Sequence, residues 1–368
     1  MVIGGGPAGS SCAWSLKRAG LSVLVVDRAT FPRDKVCAGW ITPPVVAALN
    51  LDLDDYRTAR TLQPITAFRT SVIDRADVET IYDHPISFGI RRCEFDDYLL
   101  RRSGARLSLG ETIQSLRRTN GRWLVNERYT SPMLVGAGGH FCPVARHLTG
   151  ASPRDPIVAA QEIEFRLDDA QAAACRVAPD TPELYFSRDL AGYGWCFRKD
   201  RYLNVGIGRL DCNRLPEHAR LFLDVLLARG KVPRSTPHRW KGHAYLLRGG
   251  SSRPLIDDGA VLVGDSAGLA YPESGEGIRT AVESGLLAAR AIIDAGGRHD
   301  RAALEPYRAA ISQRFGRTRK AGAKGRAVLQ PVIATAAPRL IGNAWFARHI
   351  LLDRWFLHRH QPALRLTA

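Results

Sequence analysis

The first thirty or so residues constrain the fold of this chain more than any other stretch. A short apolar run leads directly into Gly4-Gly5-Gly6-Pro7-Ala8-Gly9, a G-x-G-x-x-G motif, and a segment with the apolar spacing of a helix follows. After Gly20 comes a second apolar run over residues 21–26, which ends in Asp27. The order of strand, glycine turn, helix, strand and acid predicts a βαβ unit that binds a dinucleotide.

The residue types of this motif have separate physical tasks. Gly4 makes the tight turn, Gly6 lets the backbone approach a pyrophosphate, and Gly9 lets the helix pack closely on the strand. The phosphates then lie at the helix N-terminus, where free N–H groups and the helix dipole favour anions. Asp27 is placed to accept hydrogen bonds from ribose hydroxyls, and an acid there favours FAD or NAD over NADP.

A second stretch of nucleotide-binding type lies far along the chain. Apolar residues 260–263 run into Gly264-Asp265, and Gly275-Glu276-Gly277 precedes a helical segment over residues 278–295. Asp265 would face a polyol, and the N-terminus of that helix would stabilise the negative charge of a reduced flavin. This stretch therefore favours FAD among the dinucleotides.

Length and composition bound the class of protein. A chain of 368 residues, 45% of them hydrophobic, is long enough for two domains with packed cores. It contains no run of about eighteen uncharged apolar residues, so no spanning helix is predicted. The seven cysteines are scattered without a C-x-x-C pair, which argues against a metal site or a disulfide framework and favours a cytoplasmic protein.

Between the two nucleotide-binding regions the sequence favours β-strands. Residues from about 52 to 87 alternate weakly between apolar and polar types, and we predict that they form strands. We predict an α/β fold with a Rossmann-like FAD-binding domain of the GR2 type, a substrate domain based on a β-sheet and a helical C-terminal region. The FAD-binding domain would comprise residues 1–50, 88–150 and 250–300, the substrate domain residues 51–87 and 151–249, and the C-terminal region residues 301–368.

Tyr193, Trp195 and Phe197 alternate along one strand and share a face. This face either covers a core or forms the aromatic wall of a substrate pocket.

These motifs together resemble the FAD-dependent oxidoreductases of the p-hydroxybenzoate hydroxylase class. The resemblance is carried by the glycine motif with Asp27, by Arg92-x-x-Phe95-Asp96, and by Gly264-Asp265 with Pro272-x-x-Gly275-Glu276-Gly277-Ile278. Within that class, Cys37-x-Gly39 and Tyr193-x-Trp195-x-Phe197 look like the geranylgeranyl reductases, which saturate C=C bonds of isoprenoids.

The resemblance implies roles for particular residues. Cofactor contacts would come from Gly4, Gly6, Pro7, Ala8, Gly9, Asp27, Arg28, Arg92, Gly264, Asp265, Gly275, Gly277 and Ile278. The FAD, reduced by NAD(P)H or another electron donor, would pass a hydride to an alkene carbon while a proton reaches the neighbouring carbon. Tyr193, Trp195 and Phe197 would bind a hydrophobic small molecule or lipid. Cys37, in the loop nearest the flavin, and His140 are the candidate proton donors, although a cysteine there also suits simple packing.

Three departures from the family pattern keep other functions open. The class motif Gly-Ala-Asp-Gly reads Gly136-Ala137-Gly138-Gly139 here, Arg198 stands where the aromatic motif of the reductases ends in proline, and Trp40 replaces the second glycine of the cysteine loop. One alternative is a flavin-dependent monooxygenase or halogenase, which uses oxygen. The other is an FAD-binding protein without catalytic activity.

The net charge of +16 is concentrated near the C-terminus. From residue 314 onward eleven Lys or Arg oppose one acid, Asp353. Trp345 and Trp355 lie among these cations, and such a composition suits peripheral binding to an anionic membrane surface. A solvated basic lid on the substrate domain is the competing interpretation. Nucleic-acid binding is not expected, because no recognition motif accompanies the charge.

Overall fold

The computed structural model describes residues 1–150, 155, 157–211, 214–316 and 338–365. Residues 317–337, with part of the basic tail and its apolar residues 327–333, lie outside the described residues, as do residues 366–368.

The helices and strands follow each other along the chain as a mixed α/β protein. The described helices are α1 (Pro7–Arg18), α2 (Pro43–Leu49), α3 (Leu53–Ala59), α4 (Arg92–Arg102), α5 (Pro143–Thr149), α6 (Asp169–Ala174), α7 (Leu215–Ala228), α8 (Ile278–Asp294) and α9 (Arg301–Phe315). A C-terminal helix begins with Ala344–Phe346 and continues as a π-helix over Ala347–Phe356. The strands are β1 (Val2–Ile3), β2 (Leu24–Asp27), β3 (Trp40–Ile41), β4 (Leu62–Ile65), β5 (Ala67–Val72), β6 (Val78–Ile81), β7 (Ser87–Ile90), β8 (Arg106–Leu109), β9 (Leu116–Thr119), β10 (Arg122–Val125), β11 (Tyr129–Ser131), β12 (Leu134–Gly136), β13 (Ile157–Arg166), β14 (Glu183–Phe186), β15 (Gly192–Lys199), β16 (Tyr202–Arg209), β17 (Lys241–Leu246), β18 (Ile256–Asp257) and β19 (Ala260–Leu262).

A six-stranded sheet forms the nucleotide-binding part of the molecule, in the order β18-β19-β12-β1-β2-β8. Its neighbouring strands are parallel except for the antiparallel edge strand β18. Every residue of β1, β12 and β19 is buried, as expected for strands covered on both faces. Because parallel strands end at the same edge, the turns after β1, β2, β12 and β19 meet there, and ligands bind at such edges.

Close packing of α1 on α8 covers this sheet. Pro7 occupies the first turn of α1, where its missing N–H costs nothing. A Cβ placed on Gly285 of α8 would lie 2.3 Å from the carbonyl oxygen of Ala8. The two helices can therefore approach this closely only with glycine at position 285.

A seven-stranded sheet forms the second part, in the order β17-β13-β16-β15-β14-β5-β6. Its pairs are antiparallel except for β14 with β5. One face packs on α7, where a Cβ on Gly194 would meet the Phe222 ring at 2.6 Å. On the opposite face, Tyr193, Trp195 and Phe197 join one hydrophobic cluster. The common face predicted for these three aromatic residues is thus observed.

The prediction of strands throughout residues 52–87 was wrong at its start. Residues 53–59 form α3, because Oδ1 of Asp52 accepts the N–H groups of Asp54 and Asp55 at 2.9 and 3.1 Å. Acids in the first turn favour the helix further. Strands β4, β5 and β6 then follow, and β4 pairs with β7 in a small sheet that also contains β3.

The C-terminal helix packs against the aromatic face of the seven-stranded sheet. Ile341, Leu351, Leu352 and Phe356 are buried there. Apolar residues of the basic tail thus belong to the core of the molecule at these positions. Among the described residues, the longest apolar helical stretches fall short of what a membrane crossing requires.

Candidate active site

One cavity of about 640 Å³ extends from the ligand-binding edge of the six-stranded sheet to the aromatic face of the seven-stranded sheet. Gly6, Asp27, Asp265 and Gly277 line its first part, and Cys37, Tyr193, Trp195 and Phe356 line its second part. The dinucleotide motif and the aromatic strand, far apart in sequence, therefore face the same space.

The glycines of the first motif differ in what surrounds them. Gly4 has a φ of +113°, and a Cβ there would lie 2.4 Å from the carbonyl oxygen of Ala137. A Cβ on Gly9 would lie 1.9 Å from the carbonyl oxygen of Gly4. At Gly6 the nearest heavy atom would be Nη2 of Arg33 at 3.5 Å. Gly4 and Gly9 thus shape the turn, whereas Gly6 leaves open space at the N-terminus of α1.

Asp27 is held at the end of β2 by backbone donors. Its Oδ2 accepts the N–H of Gly5 at 2.7 Å and its Oδ1 accepts the N–H of Ala29 at 2.8 Å. Each carboxylate oxygen can accept a further hydrogen bond. Asp27 could therefore accept hydrogen bonds from ribose hydroxyls, and Arg28 beside it also lines the cavity.

A buried cluster of charge lies next to the N-terminus of α1. The fully buried Asp96 accepts hydrogen bonds from Nε and Nη2 of Arg92, both at 2.9 Å, and pairs with Nη2 of Arg33 at 3.1 Å. The Nη1 atom of Arg33 is buried and has no hydrogen-bond partner among the described residues. A buried cationic donor without a partner, beside a helix N-terminus, fits an anion such as a pyrophosphate. Sequence analysis missed Arg33, because its loop has no periodic pattern.

Asp265 lies beside the His243 ring and near Lys35 at the cavity. Nε2 of His243 lies 3.6 Å from Oδ2 of Asp265, and Lys35 contacts the His243 ring. Burial would raise the pKa of Asp265, but His243 and Lys35 hold that pKa below its usual value. Burial lowers the pKa of Lys35 to about 8 and also lowers the pKa of His243. Asp265 is thus kept ionised as a hydrogen-bond acceptor.

The N-terminus of α8 points at the cavity from the same side. The N-cap residue is Gly277, so no N-cap side chain covers the first N–H groups of α8. Gly275, Gly277 and Ile278 line the cavity. Oε1 of Glu276 accepts the N–H of Arg279 at 2.6 Å, whereas Oε2 is buried without a hydrogen-bond partner in the described structure. Burial raises the pKa of Glu276 to about 7. Glu276 was not singled out as a site residue from the sequence.

Residues of the seven-stranded sheet hold the Cys37 loop at the centre of the cavity. The backbone N–H of Cys37 donates to Oε2 of Glu162 at 2.7 Å, and Nδ2 of Asn204 donates to the carbonyl oxygen of Cys37 at 3.3 Å. Nε1 of Trp195 in turn donates to Oδ1 of Asn204 at 2.7 Å. The buried Lys199 donates to the carbonyl oxygen of Ala38 at 3.0 Å.

Cys37 lines the cavity together with Arg92. Its Sγ accepts the N–H of Gly39 at 3.4 Å. A thiol in this position could donate a proton to a group bound in the cavity.

The three predicted substrate residues are placed differently. Tyr193 and Trp195 line the cavity, and the hydroxyl of Tyr193 donates to the carbonyl oxygen of Ser274 at 2.5 Å. Phe197 lies behind the cavity wall and stacks on Trp40, with ring centroids 5.4 Å apart. Phe356 of the C-terminal helix completes the wall, 5.3 Å from the Tyr193 ring. No local pattern could predict that contact.

His140 also lines the cavity, near the six-stranded sheet. Nη2 of Arg253 donates to the carbonyl oxygen of His140 at 2.8 Å. Burial and the charge of Arg253 lower the pKa of the His140 ring, and its Nδ1 is buried without a partner in the described part of the chain. A ring kept neutral is a weak proton donor near neutral pH.

Of the predicted cofactor residues, ten line the cavity and three do not. Those that line it are Gly6, Pro7, Ala8, Asp27, Arg28, Arg92, Asp265, Gly275, Gly277 and Ile278. Gly4, Gly9 and Gly264 lie behind them. Gly264 has a φ of +58°, and a Cβ there would be 3.1 Å from the Ala8 side chain.

Comparisons with known proteins agree with this geometry. A family model described as an NAD(P)-binding Rossmann-like domain matches residues 2–33. The chain is 30% identical over 345 residues to the menaquinone reductase of Mycobacterium tuberculosis, covering 86% of this chain and 80% of that protein. It is 25% identical over 302 residues to the digeranylgeranylglycerophospholipid reductase of Methanocaldococcus jannaschii, covering 78% and 75% of the two chains.

Solved structures share the fold. A geranylgeranyl bacteriochlorophyll reductase-like protein of Thermoplasma acidophilum superposes with a TM-score of 0.75 at 20% identity, covering 93% of this chain and 89% of that chain. A halogenase in complex with phloroglucinol and FAD superposes with a TM-score of 0.68 at 14% identity, covering 94% and 77%. One architecture thus serves proteins with different names and chemistries.

Proposed function

The chain belongs to the geranylgeranyl reductase family of FAD-dependent oxidoreductases, and we propose that it reduces C=C bonds in the isoprenoid chain of a lipid or quinone. The observation that carries the proposal is the cavity that joins the dinucleotide motif to an aromatic wall and to the Cys37 loop. The two relatives are named as reductases of menaquinone and of digeranylgeranylglycerophospholipid, and both compounds carry isoprenoid chains. An apolar, aromatic site suits an isoprenoid chain better than it suits a charged substrate.

The residues present fit FAD. Gly6, the N-terminus of α1 and the unpaired Nη1 of Arg33 would hold the pyrophosphate. Asp27 would hold the ribose and Asp265 the polyol, and the N-terminus of α8 at Gly277 would face the flavin edge. When bound, FAD supplies a two-electron carrier that can deliver a hydride.

The side chains of the second part of the cavity would orient the alkene and supply the proton. Tyr193 is fixed by its hydrogen bond to Ser274, and Trp195 by its hydrogen bond to Asn204. This wall excludes water and holds the isoprenoid chain in one position. Cys37, whose loop lines the cavity, would give its proton to the second alkene carbon and would regain a proton from solvent. Hydride and proton together saturate one C=C bond, and an external donor returns the two electrons.

Product analysis tests this proposal. Anaerobic turnover with a polyprenyl quinone and a reduced donor should give a product heavier by two hydrogens, and this mass should persist after air oxidation. Reduction of the quinone ring alone would be reversed by air. A product whose mass returns to that of the starting quinone would contradict the proposal.

The alternative functions predict different results in the same assay. Because a halogenase has the same fold, an oxygen-dependent reaction is the main alternative. If product forms only with oxygen, the protein is a monooxygenase. If product forms only with oxygen and halide, it is a halogenase. An FAD-binding protein without activity would give no product under either condition. NADH, NADPH and dithionite should be compared as donors.

A further inference from the structure

Beside the substrate sheet, the protein surface exposes large apolar side chains. Ile81, Leu340 and Trp345 are 63%, 45% and 63% exposed, and we refer to these three residues as the apolar patch. Nη1 of Arg348 donates to the carbonyl oxygen of Ile81 at 3.1 Å, which fixes β6 beside the C-terminal helix. The N–H of Asn343 donates to the carbonyl oxygen of Leu340 at 3.0 Å, and Leu340 lies in the short helical segment 338–341 that precedes the same helix.

The segment that carries Leu340 and Trp345 is strongly basic. Residues 338–365 contain five arginines (339, 348, 354, 359 and 365) and one acid, Asp353. Arg339 and Arg354 are exposed, and Arg348 packs over the Tyr82 ring with its guanidinium carbon 4.9 Å from the ring centroid. In sequence, residues 317–337 add five Lys or Arg and no acid. Exposed apolar side chains therefore occur together with an excess of positive charge.

We propose that the apolar patch and the surrounding arginines dock the protein on the surface of an anionic membrane. A tryptophan and aliphatic side chains would enter the headgroup region, and the arginines would pair with anionic lipids. A nucleic acid would match the charge but would leave the three apolar side chains exposed to water. This inference goes beyond the redox chemistry, because docking can be measured with oxidised protein and without substrate.

The same helix connects this surface to the cavity. Trp345 lies near its start, and Phe356 at its end lines the cavity. Eleven positions separate the two residues along this largely π-helical segment. A docked membrane would therefore lie within about one helix length of the cavity wall, which suits a substrate drawn from the lipid phase.

Co-sedimentation of the full-length protein with liposomes tests the proposal. The probes are vesicles of phosphatidylglycerol and phosphatidylcholine in equal parts, and vesicles of phosphatidylcholine alone. The wild-type protein should bind the anionic vesicles at low salt and lose most of that binding at high salt. Trp345→Ser should weaken binding about tenfold. The double variant Arg339→Gln and Arg354→Gln should weaken it by about fivefold per charge removed.

A matched control comes from an exposed leucine outside the patch. Leu221 on α7 is 49% exposed, and Leu221→Ser should bind vesicles like the wild type. Circular dichroism and flavin content should be unchanged in every variant. Failure of the wild type to bind anionic vesicles at low salt would overturn the proposal, as would equal losses for Trp345→Ser and Leu221→Ser. A wild-type dimer that Trp345→Ser converts to a monomer would assign the patch to a second copy and would also overturn it.

Discussion

The two parts of the cavity are built in different ways. In the glycine turn of the dinucleotide part, Gly9 packs against the carbonyl oxygen of Gly4, and Asp27 accepts the N–H groups of Gly5 and Ala29, all within the first thirty residues. In the substrate part, Cys37 is held by Glu162 and Asn204, more than a hundred residues away. A local motif thus defines the cofactor site, whereas tertiary packing defines the substrate site.

This difference means that the two parts can be damaged separately. Changes in the glycine turn should affect FAD binding and leave the Cys37 loop in place. Changes in the Glu162, Asn204 and Trp195 network should affect substrate handling or stability and leave FAD affinity intact. The following predictions test that separation, beginning with the largest expected effect.

Gly9→Ala should have the most severe effect, because the new Cβ would lie 1.9 Å from the carbonyl oxygen of Gly4. Overpacking of this kind costs about 1–3 kcal/mol or more, so the melting temperature should fall and FAD should be lost. Gly6→Ala, whose Cβ would enter open space, should keep the melting temperature and lose FAD affinity. Gly208→Ala, with no heavy atom closer than 3.8 Å, is the control that should change neither quantity. Equal melting temperatures for Gly9→Ala and Gly208→Ala would contradict the role assigned to Gly9.

Arg33→Gln should weaken FAD binding by about 10- to 100-fold, the usual effect of losing a hydrogen bond to a charged group. Asp96 keeps its two hydrogen bonds from Arg92, so the fold should survive. Titration of the apoprotein with FAD, followed by fluorescence quenching, measures the change. Arg101→Gln, on the exposed side of α4, should bind FAD normally. An unchanged affinity in Arg33→Gln would show that the unpaired Nη1 does not face the pyrophosphate.

The fold and the cofactor motifs were largely predictable from sequence, because their signals are local. The βαβ unit, the turn after β19 and the common face of Tyr193, Trp195 and Phe197 follow from spacing alone. The helix at residues 53–59 was missed, because the capping role of Asp52 was overlooked in a segment with weak alternation.

The remainder of the site could not be read from the sequence. Phe356 and His243 reach the cavity through tertiary contacts, and Arg33 and Lys35 lie in a loop without periodicity. Phe197 was predicted to bind the substrate, but its ring lies behind the cavity wall and stacks on Trp40. Side chains brought together over long sequence separations leave no local pattern, so only the folded chain reveals them.

Glu162→Gln should change how stability depends on pH. Burial and the neighbouring Glu164 raise the pKa of Glu162 to about 8, although the Cys37 N–H opposes the shift. A carboxyl group with a raised folded-state pKa binds a proton more tightly in the native state, so stability falls as the pH rises from about 4.5 to 8. The variant should show a shallower fall over this range, with a remainder from Glu276, whose pKa is about 7.

Chemical denaturation at several pH values measures this effect. Glu127→Gln, an exposed position, should follow the wild-type profile. FAD affinity should be the same in all three proteins. Parallel profiles for wild type and Glu162→Gln would contradict the assignment of a protonated Glu162 beneath the Cys37 loop.

Trp195→Phe should have the smallest effect. It removes the hydrogen bond from Nε1 to Asn204 and keeps an aromatic ring, at a cost of about 1 kcal/mol. The KM for the isoprenoid substrate should rise several-fold, with FAD affinity unchanged. Steady-state kinetics on the FAD-loaded protein tests this prediction. A loss of FAD affinity as large as the rise in KM would contradict the claim that the two parts of the cavity can be damaged separately.

The central claim is that the cavity brings an isoprenoid alkene to bound flavin for reduction. Its most direct test is an anaerobic single turnover, in which photoreduced FAD-loaded protein is mixed with one equivalent of a polyprenyl alkene. The account predicts that the visible absorption band of oxidised flavin returns and that one alkene is saturated for each flavin. A band that stays bleached with the alkene and returns only when oxygen is admitted would contradict it.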